Sequence, residues 1–293
     1  MTLPTNAGSE YTWRCVATLD GHQGAVYDLA SEGPDLLWSV GGDGCLVRWR
    51  RDPAGWISTG EAVAKADEAL FCVSALPGGG AVCGGASGGI VVWSSGQVAF
   101  HTGHEGGTFV VSENYSAGAD GKVRLWKSGE VIARIDERVR CLLEREDRVW
   151  TGTHKGNVYR HEIAQRQTLH NGSLRAMVDW PNKPAIGTAG ADGRIRIWKE
   201  SDQRLDEILS IDAHSAAIYR LKKSPNGMRV ATASRDRSAA VWSASDLSLE
   251  IRLVRTNLGG HTRSVNALTW IDDKTLASGG DDRRIFIWER NPD

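Results

Sequence analysis

Ser116-Ala-Gly-Ala-Asp-Gly-Lys-Val-Arg-Leu-Trp126 is the stretch on which the fold is decided. It reads as a strand, a tight turn at Asp120-Gly121, and a second strand in which apolar and polar residues alternate up to Trp126. One copy would be an ordinary hairpin. The same register recurs with an anchor six places after the turn residue: Asp43 and Trp49, Ser87 and Trp93, Asp120 and Trp126, Lys155 and His161, Asp192 and Trp198, Asp236 and Trp242, Asp282 and Trp288. That makes seven copies, with successive turn residues 33 to 46 positions apart. Strand pairs repeating at this period are the mark of a propeller array.

The pattern resembles the WD40 repeat family, and the resemblance covers nearly the whole chain. It implies an all-β fold: a seven-bladed β-propeller of four-stranded antiparallel blades. Trp13 to Leu19 alternates like a strand and precedes Gly21-His22, as Val98 to His104 and Leu249 to His261 precede later repeats. In the resembled family such a first strand completes the last blade and closes the ring, so residues 11–20 are expected beside the strand containing Trp288. One propeller is expected over 11–289, with short tails at 1–10 and 290–293. Repeat three is the shortest between its His and turn positions, so its first hairpin should turn near Ser112-Glu113-Asn114. Pro181 to Pro184 and Ser224 to Gly227 mark the corresponding turns of repeats five and six.

Composition fits this outcome: 41% hydrophobic and 24% charged residues suit a globular protein. A net charge of -1 supplies no global attraction to nucleic acid or anionic membrane. Five cysteines without a CxxC argue for reduced thiols rather than a disulfide framework or zinc site. Residues 1–10 lack the features of a signal peptide, and no stretch approaches a membrane span. The expectation is a cytoplasmic protein, monomeric by itself.

Four polar positions keep their spacing within most repeats. The sets are His22, Ser39, Asp43 and Trp49; His104, Ser116, Asp120 and Trp126; His170, Thr188, Asp192 and Trp198; His214, Thr232, Asp236 and Trp242; and His261, Ser278, Asp282 and Trp288. They imitate Ser-His-Asp chemistry, but one active site would not occur five times. The resemblance implies a buried structural chain in which indole, hydroxyl, imidazole and carboxylate bond in series. Repeats two (Ala66, Cys83, Ser87, Trp93) and four (Ile135, Thr151, Lys155, His161) break the pattern and are expected to be the less rigid blades. Gly85-Ala-Ser-Gly-Gly89 matches the GxSxG elbow but lies in a strand–strand turn, without the required helix. His101 and His104 make an HxxH, yet no Cys or carboxylate set completes a metal site. The chain is therefore expected to be no enzyme, with no cofactor and no metal.

Function should then lie in loops on one rim. The resemblance implies partner binding on the face that carries the loop before each first strand and the Asp turn. Three positions per repeat point there: three and five residues after the His position, and the residue before the turn. They yield Tyr27, Phe71 and Phe109 from the first three repeats, Arg138, Arg140, His154, Arg175, Tyr219 and Arg235 from the next three, and Asn266 and Asp281 from the last. Half of this rim is aromatic and half basic. Aromatic residues and Arg dominate binding hot spots, and Arg captures carboxylate or phosphate bidentately. The expected function is a non-catalytic protein–protein interaction scaffold for a partner with acidic and apolar side chains. Single-stranded nucleic acid is the alternative for the same rim, and a propeller enzyme a more remote one.

Overall fold

A computed structural model describes residues 11–145, 148–161, 165–181, 184–201 and 204–292. The expected N-terminal tail, 1–10, lies outside the described residues. Seven antiparallel sheets follow one another around a ring. Blade 1 runs outward through Val26–Ser31, Leu36–Gly41, Cys45–Asp52 and Glu61–Lys65, with a short extra strand, Gly55–Trp56, on the third. Blade 2 comprises Leu70–Leu76, Gly80–Gly85, Ile90–Ser94 and Gln97–His101, and blade 3 Thr108–Val111, Tyr115–Gly118, Lys122–Leu125 and Glu130–Arg134. Val139–Arg145, Arg148–Thr153, Asn157–Arg160 and Gln165–Thr168 form blade 4. Blade 5 holds Leu174–Asp179, Ala185–Gly190, Arg194–Glu200 and Leu205–Asp212, and blade 6 Ile218–Lys223, Arg229–Ser234, Ala239–Ser243 and Leu249–Leu253.

Blade 7 is assembled from both ends of the chain. Val265–Trp270, Thr275–Gly280 and Arg284–Pro292 receive Tyr11–Asp20 as the outermost strand, in register from Tyr11 opposite Pro292 to Asp20 opposite Arg284. Pairing extends to Pro292, so 290–292 are strand rather than the expected tail. Closure leaves no blade half-paired.

Alternation explains the core. The second strand of each blade is sandwiched between neighbours, and Leu36–Gly41, Gly80–Gly85, Ala185–Gly190 and Thr275–Gly280 are buried almost throughout. Clusters of buried residues join successive blades. Leu19, Val26, Trp49 and Ile287, for example, pack the closing strand and blade 7 against blade 1. The turn between second and third strands needs a left-handed residue after the turn position in every blade. Five are glycine, and Gly121 at φ 70° is typical: a Cβ there would stand 2.0 Å from the Ile135 carbonyl oxygen. Arg237 and Arg283 adopt the same conformation at φ 73° and 67°.

Deleting residues 1–20 should strip blade 7 of its outer strand and expose the edge of Arg284–Pro292. The expected result is loss of soluble monomer or a large drop in melting temperature. A truncated chain that melts like the full chain would contradict this closure.

Candidate functional site

Four blades hold the complete hydrogen-bonded chain. In blade 1 the Trp49 indole N–H donates to Ser39 Oγ at 2.8 Å, Ser39 meets His22 Nε2 at 2.7 Å, and His22 Nδ1 meets Asp43 at 2.9 Å. Trp198–Thr188–His170–Asp192 repeats this at 2.8, 2.7 and 2.9 Å in blade 5. Trp242–Thr232–His214–Asp236 does so at 2.9, 2.8 and 2.8 Å in blade 6, and Trp288–Ser278–His261–Asp282 at 2.8, 2.9 and 2.9 Å in blade 7. Because the indole can only donate, the hydroxyl proton goes to Nε2 and Nδ1–H goes to the carboxylate. That tautomer is neutral. Burial holds His104, His170 and His214 below the usual imidazole range despite the adjoining carboxylates. The carboxylates resist burial: hydrogen bonds, above all from the histidines, hold Asp43, Asp120, Asp192, Asp236 and Asp282 below the usual range. In blades 1, 3, 6 and 7 the same carboxylate accepts the N–H of the residue after the histidine. Each network thus ties the loop before the first strand to the Asp turn.

Blade 3 departs from the expected set. His104 reaches Asp120 and Ser116 at 2.8 and 3.0 Å, but the Trp126 indole donates to the Ser112 and Glu113 carbonyls at 3.2 and 3.0 Å. The cause is the shortened first hairpin, which turns at Ser112–Tyr115 as expected. The third strand pairs only to Leu125 opposite Tyr115, so Trp126 lies beyond the ladder and over the hairpin turn.

Blades 2 and 4, which lack the histidine, are repaired by residues that sequence reasoning missed. Glu137 sits two positions after Ile135 and is buried. It accepts hydrogen bonds from Thr153, Asn157 at 2.8 Å and Tyr159 at 3.2 Å. Burial raises its pKa, but these donors outweigh burial and hold it below the usual range. Glu68 sits two positions after Ala66 and accepts the Ser87 N–H. In both blades the carboxylate that joins loop to turn comes from the loop instead of the turn. A Glu two residues past each missing histidine was the available signal. Thr151 and His161 still meet, at 3.1 Å.

These anchored loops launch the seven first strands, and every first strand carries the same irregularity. The pairing slips between Val26 and Asp28, Leu70 and Cys72, Thr108 and Val110, Val139 and Cys141, Leu174 and Ala176, Ile218 and Arg220, and Val265 and Ala267. The skipped residue is Tyr27, Phe71, Phe109, Arg140, Arg175, Tyr219 and Asn266 in turn. A bulge leaves one residue outside the ladder and re-aims its side chain. All seven line one cavity of about 300 Å³, with Arg220 beneath and Asp281 at the side.

Around the mouth the side chains touch in sequence. Tyr27 meets Phe71 edge-on at 5.6 Å, Phe71 stacks on Phe109 at 5.9 Å, and the Arg140 guanidinium lies 3.9 Å from the Phe109 centroid. Arg175 lies 5.2 Å from the Tyr219 ring. Asn266 donates to Asp281 at 2.7 Å and to the Val26 carbonyl at 3.2 Å. Arg140 and Arg175 have no carboxylate partner among the described residues, and the buried Nε of each lacks an acceptor. Burial and the charges of Arg175 and Arg138 push Arg140 down to about 10, and burial lowers Arg175. Arg220, absent from the sequence-derived set, closes the floor. Its pairing with Asp28 across the ring at 2.9 Å overcomes burial and raises its pKa. It also bonds the Tyr27 and Tyr219 carbonyls. Arg138, His154 and Arg235 do not line the cavity: Arg138 and Arg235 are exposed and His154 half-buried, on the outer rim.

The family described as WD domain, G-beta repeat, matches residues 13–50, 205–243 and 252–289. Those three segments are WD40 repeats, set in a seven-bladed propeller. The matched segments cover the closing strand and most of blades 1, 6 and 7, all with complete hydrogen-bonded chains. The crystal structure of the WD40 beta propeller domain of Doa1 aligns over 95% of this chain and 97% of that one, with a TM-score of 0.83 and 19% identity. At that identity the likeness is one of fold. No curated protein sequence matches. WD40 propellers generally serve as interaction scaffolds and are generally non-catalytic.

Ser39→Ala should destabilise the propeller more than Ser116→Ala. The first orphans both Trp49 and His22; the second orphans His104 alone. Each buried unsatisfied group costs about 1–3 kcal/mol, and equal melting temperatures would refute the blade 3 geometry. The pH dependence follows from the shifts. His104, His170 and His214 are lowered, so the unfolded chain takes up protons there first, and stability should decline as pH falls below about 6.5. The depressed aspartates add a second loss below about pH 4. Denaturant midpoints measured from pH 8 to 3 check both steps, and a midpoint that rises on acidification would contradict them.

Proposed function

We propose that this WD40 propeller is a non-catalytic scaffold that binds a protein partner through a segment laid across the mouth of the ring. Its apolar side chains would rest on Tyr27, Phe71 and Phe109, and an acidic or phosphorylated side chain would reach Arg140 and Arg175. The observation that carries this reading is the pair of guanidiniums without carboxylate partners, each with a buried, unbonded Nε, beside a continuous aromatic surface. An anionic partner supplies what these groups lack, at charge-assisted strength. The cavity of about 300 Å³ suits one or two anchoring side chains rather than a whole domain. Arg138, His154 and Arg235 extend a basic outer rim, where contacts steer encounter more than they add affinity. Asn266 and Asp281, bonded to one another, would accept donors of the segment's backbone.

We place the protein in the cytoplasm. All five cysteines are free, which suits a reducing compartment. Protein is favoured over nucleic acid because the cationic groups of the mouth are two or three, not a stripe, and the net charge is -1.

The test is an array of extended peptides pairing an aromatic or aliphatic residue with Asp, Glu or phosphoserine, probed with the parent and with Arg140→Glu/Arg175→Glu. Binders to the parent should lose at least thirtyfold in affinity in the variant, the scale of a hot spot worth about 2 kcal/mol. Arg51→Glu, at the far end of blade 1, should leave affinity unchanged. Retained binding by the double variant, or preferential binding of oligonucleotides with a steep salt dependence, would overturn the proposal.

A further inference from the structure

Each blade ends in an outer strand with one unpaired edge, and such edges are normally blunted by charge, proline or a bulge. Six of the seven outer strands carry at least one Lys, Arg, Asp or Glu. Five are bulged against their neighbour. Two are unbulged: Gln165–Thr168, which carries Arg166, and Gln97–His101, which carries no Lys, Arg, Asp, Glu or Pro. Among the described outer strands, only the edge of blade 2 lacks all three devices. It pairs without interruption from Gln97 opposite Ser94 to His101 opposite Ile90. Its two apolar side chains point the same way, opposite Trp93 and Val91, with Val98 40% exposed and Phe100 68% exposed.

We propose that this edge pairs antiparallel with the same edge of a second copy of the chain, about a two-fold axis at Ala99. The strand reads polar, apolar, Ala, apolar, polar. Pairing about Ala99 sets Val98 against Phe100 of the second copy on both sides of the axis, and Gln97 against His101. No like charges meet, and a net charge of -1 per chain gives little repulsion at a distance. His101 is fixed for this role by its edge-on contact with Trp126, 5.9 Å away. An isologous contact of this kind closes at two copies and does not propagate. Five residues bury far less than the roughly 1,200 Å² of a stable interface, so the dimer is weak and forms only in concentrated protein. The contact lies on the circumference and leaves both mouths open, so the dimer is bivalent toward any partner displayed in several copies. The sequence-based expectation of a monomer then holds only for dilute protein.

Sedimentation equilibrium of the full chain from about 10 μM to 1 mM tests this. The parent mass should rise from 31.8 kDa toward twice that value. Phe100→Lys restores the missing charge at an exposed position, and should stay monomeric with an unchanged melting temperature. Ala99→Cys should give a disulfide-linked dimer under mild oxidation. Gln97→Cys, whose mate is His101, should cross-link far more slowly, as should the parent with its five native thiols. A parent that is monomeric at 1 mM, a Phe100→Lys variant that dimerises like the parent, or Ala99→Cys cross-linking no faster than Gln97→Cys would each overturn the proposal.

Discussion

One extra residue in the first strand of every blade is the constraint on which the candidate site depends. The inner strands converge on the ring axis, and without the bulge their side chains would alternate between neighbouring blades. Slipping the pairing by one residue releases Tyr27, Phe71, Phe109, Arg140, Arg175, Tyr219 and Asn266 from that alternation and turns them to a common mouth. The bulged backbone is fixed from two directions. The ladder resumes below it, and the loop above is clamped to the turn by a carboxylate. A site built this way is largely preformed, which lowers the ordering cost of binding.

The clamp has two chemical forms. Five blades use a turn aspartate with a neutral histidine, and blades 2 and 4 use a glutamate from the loop. What persists is a carboxylate that joins loop and turn. The residue that supplies it is free to change, provided that its other partners change with it. Blade 4 illustrates the requirement: Thr153, Asn157 and Tyr159 all serve Glu137, and Asn157 in turn accepts a hydrogen bond from Thr168 at 2.7 Å. Losing one member of such a set would orphan the others.

Architecture was legible in the sequence because its determinants are local and repeated. A tight turn, with Asp in five of seven copies, is followed six residues later by Trp in six of them, and the strand at 11–20 matches the outer strand that the last repeat lacks. Trp126 was misassigned because its six-residue distance from Asp120 survives while the preceding hairpin is shorter, and spacing within one hairpin does not report the length of another. The Arg220–Asp28 pair was not legible, since its members lie 192 residues apart and meet only across a closed ring. Of the three rim positions per repeat, only the bulged one reaches the mouth in every blade. The others reach it solely where a neighbour draws them in, as Asn266 draws Asp281, and this leaves Arg138, His154 and Arg235 outside.

The side-chain Nε–H resonances of Arg140 and Arg175 report on the central claim most directly, because both groups are buried and unbonded in the free protein. They can be followed by ¹H–¹⁵N spectroscopy while an acidic, aromatic peptide is titrated in. The account predicts that these two signals move downfield together and saturate at the affinity measured for the peptide, while the Arg51 signal stays in place. Binding that shifts Arg51 or other distant arginines and leaves Arg140 and Arg175 unmoved would contradict it.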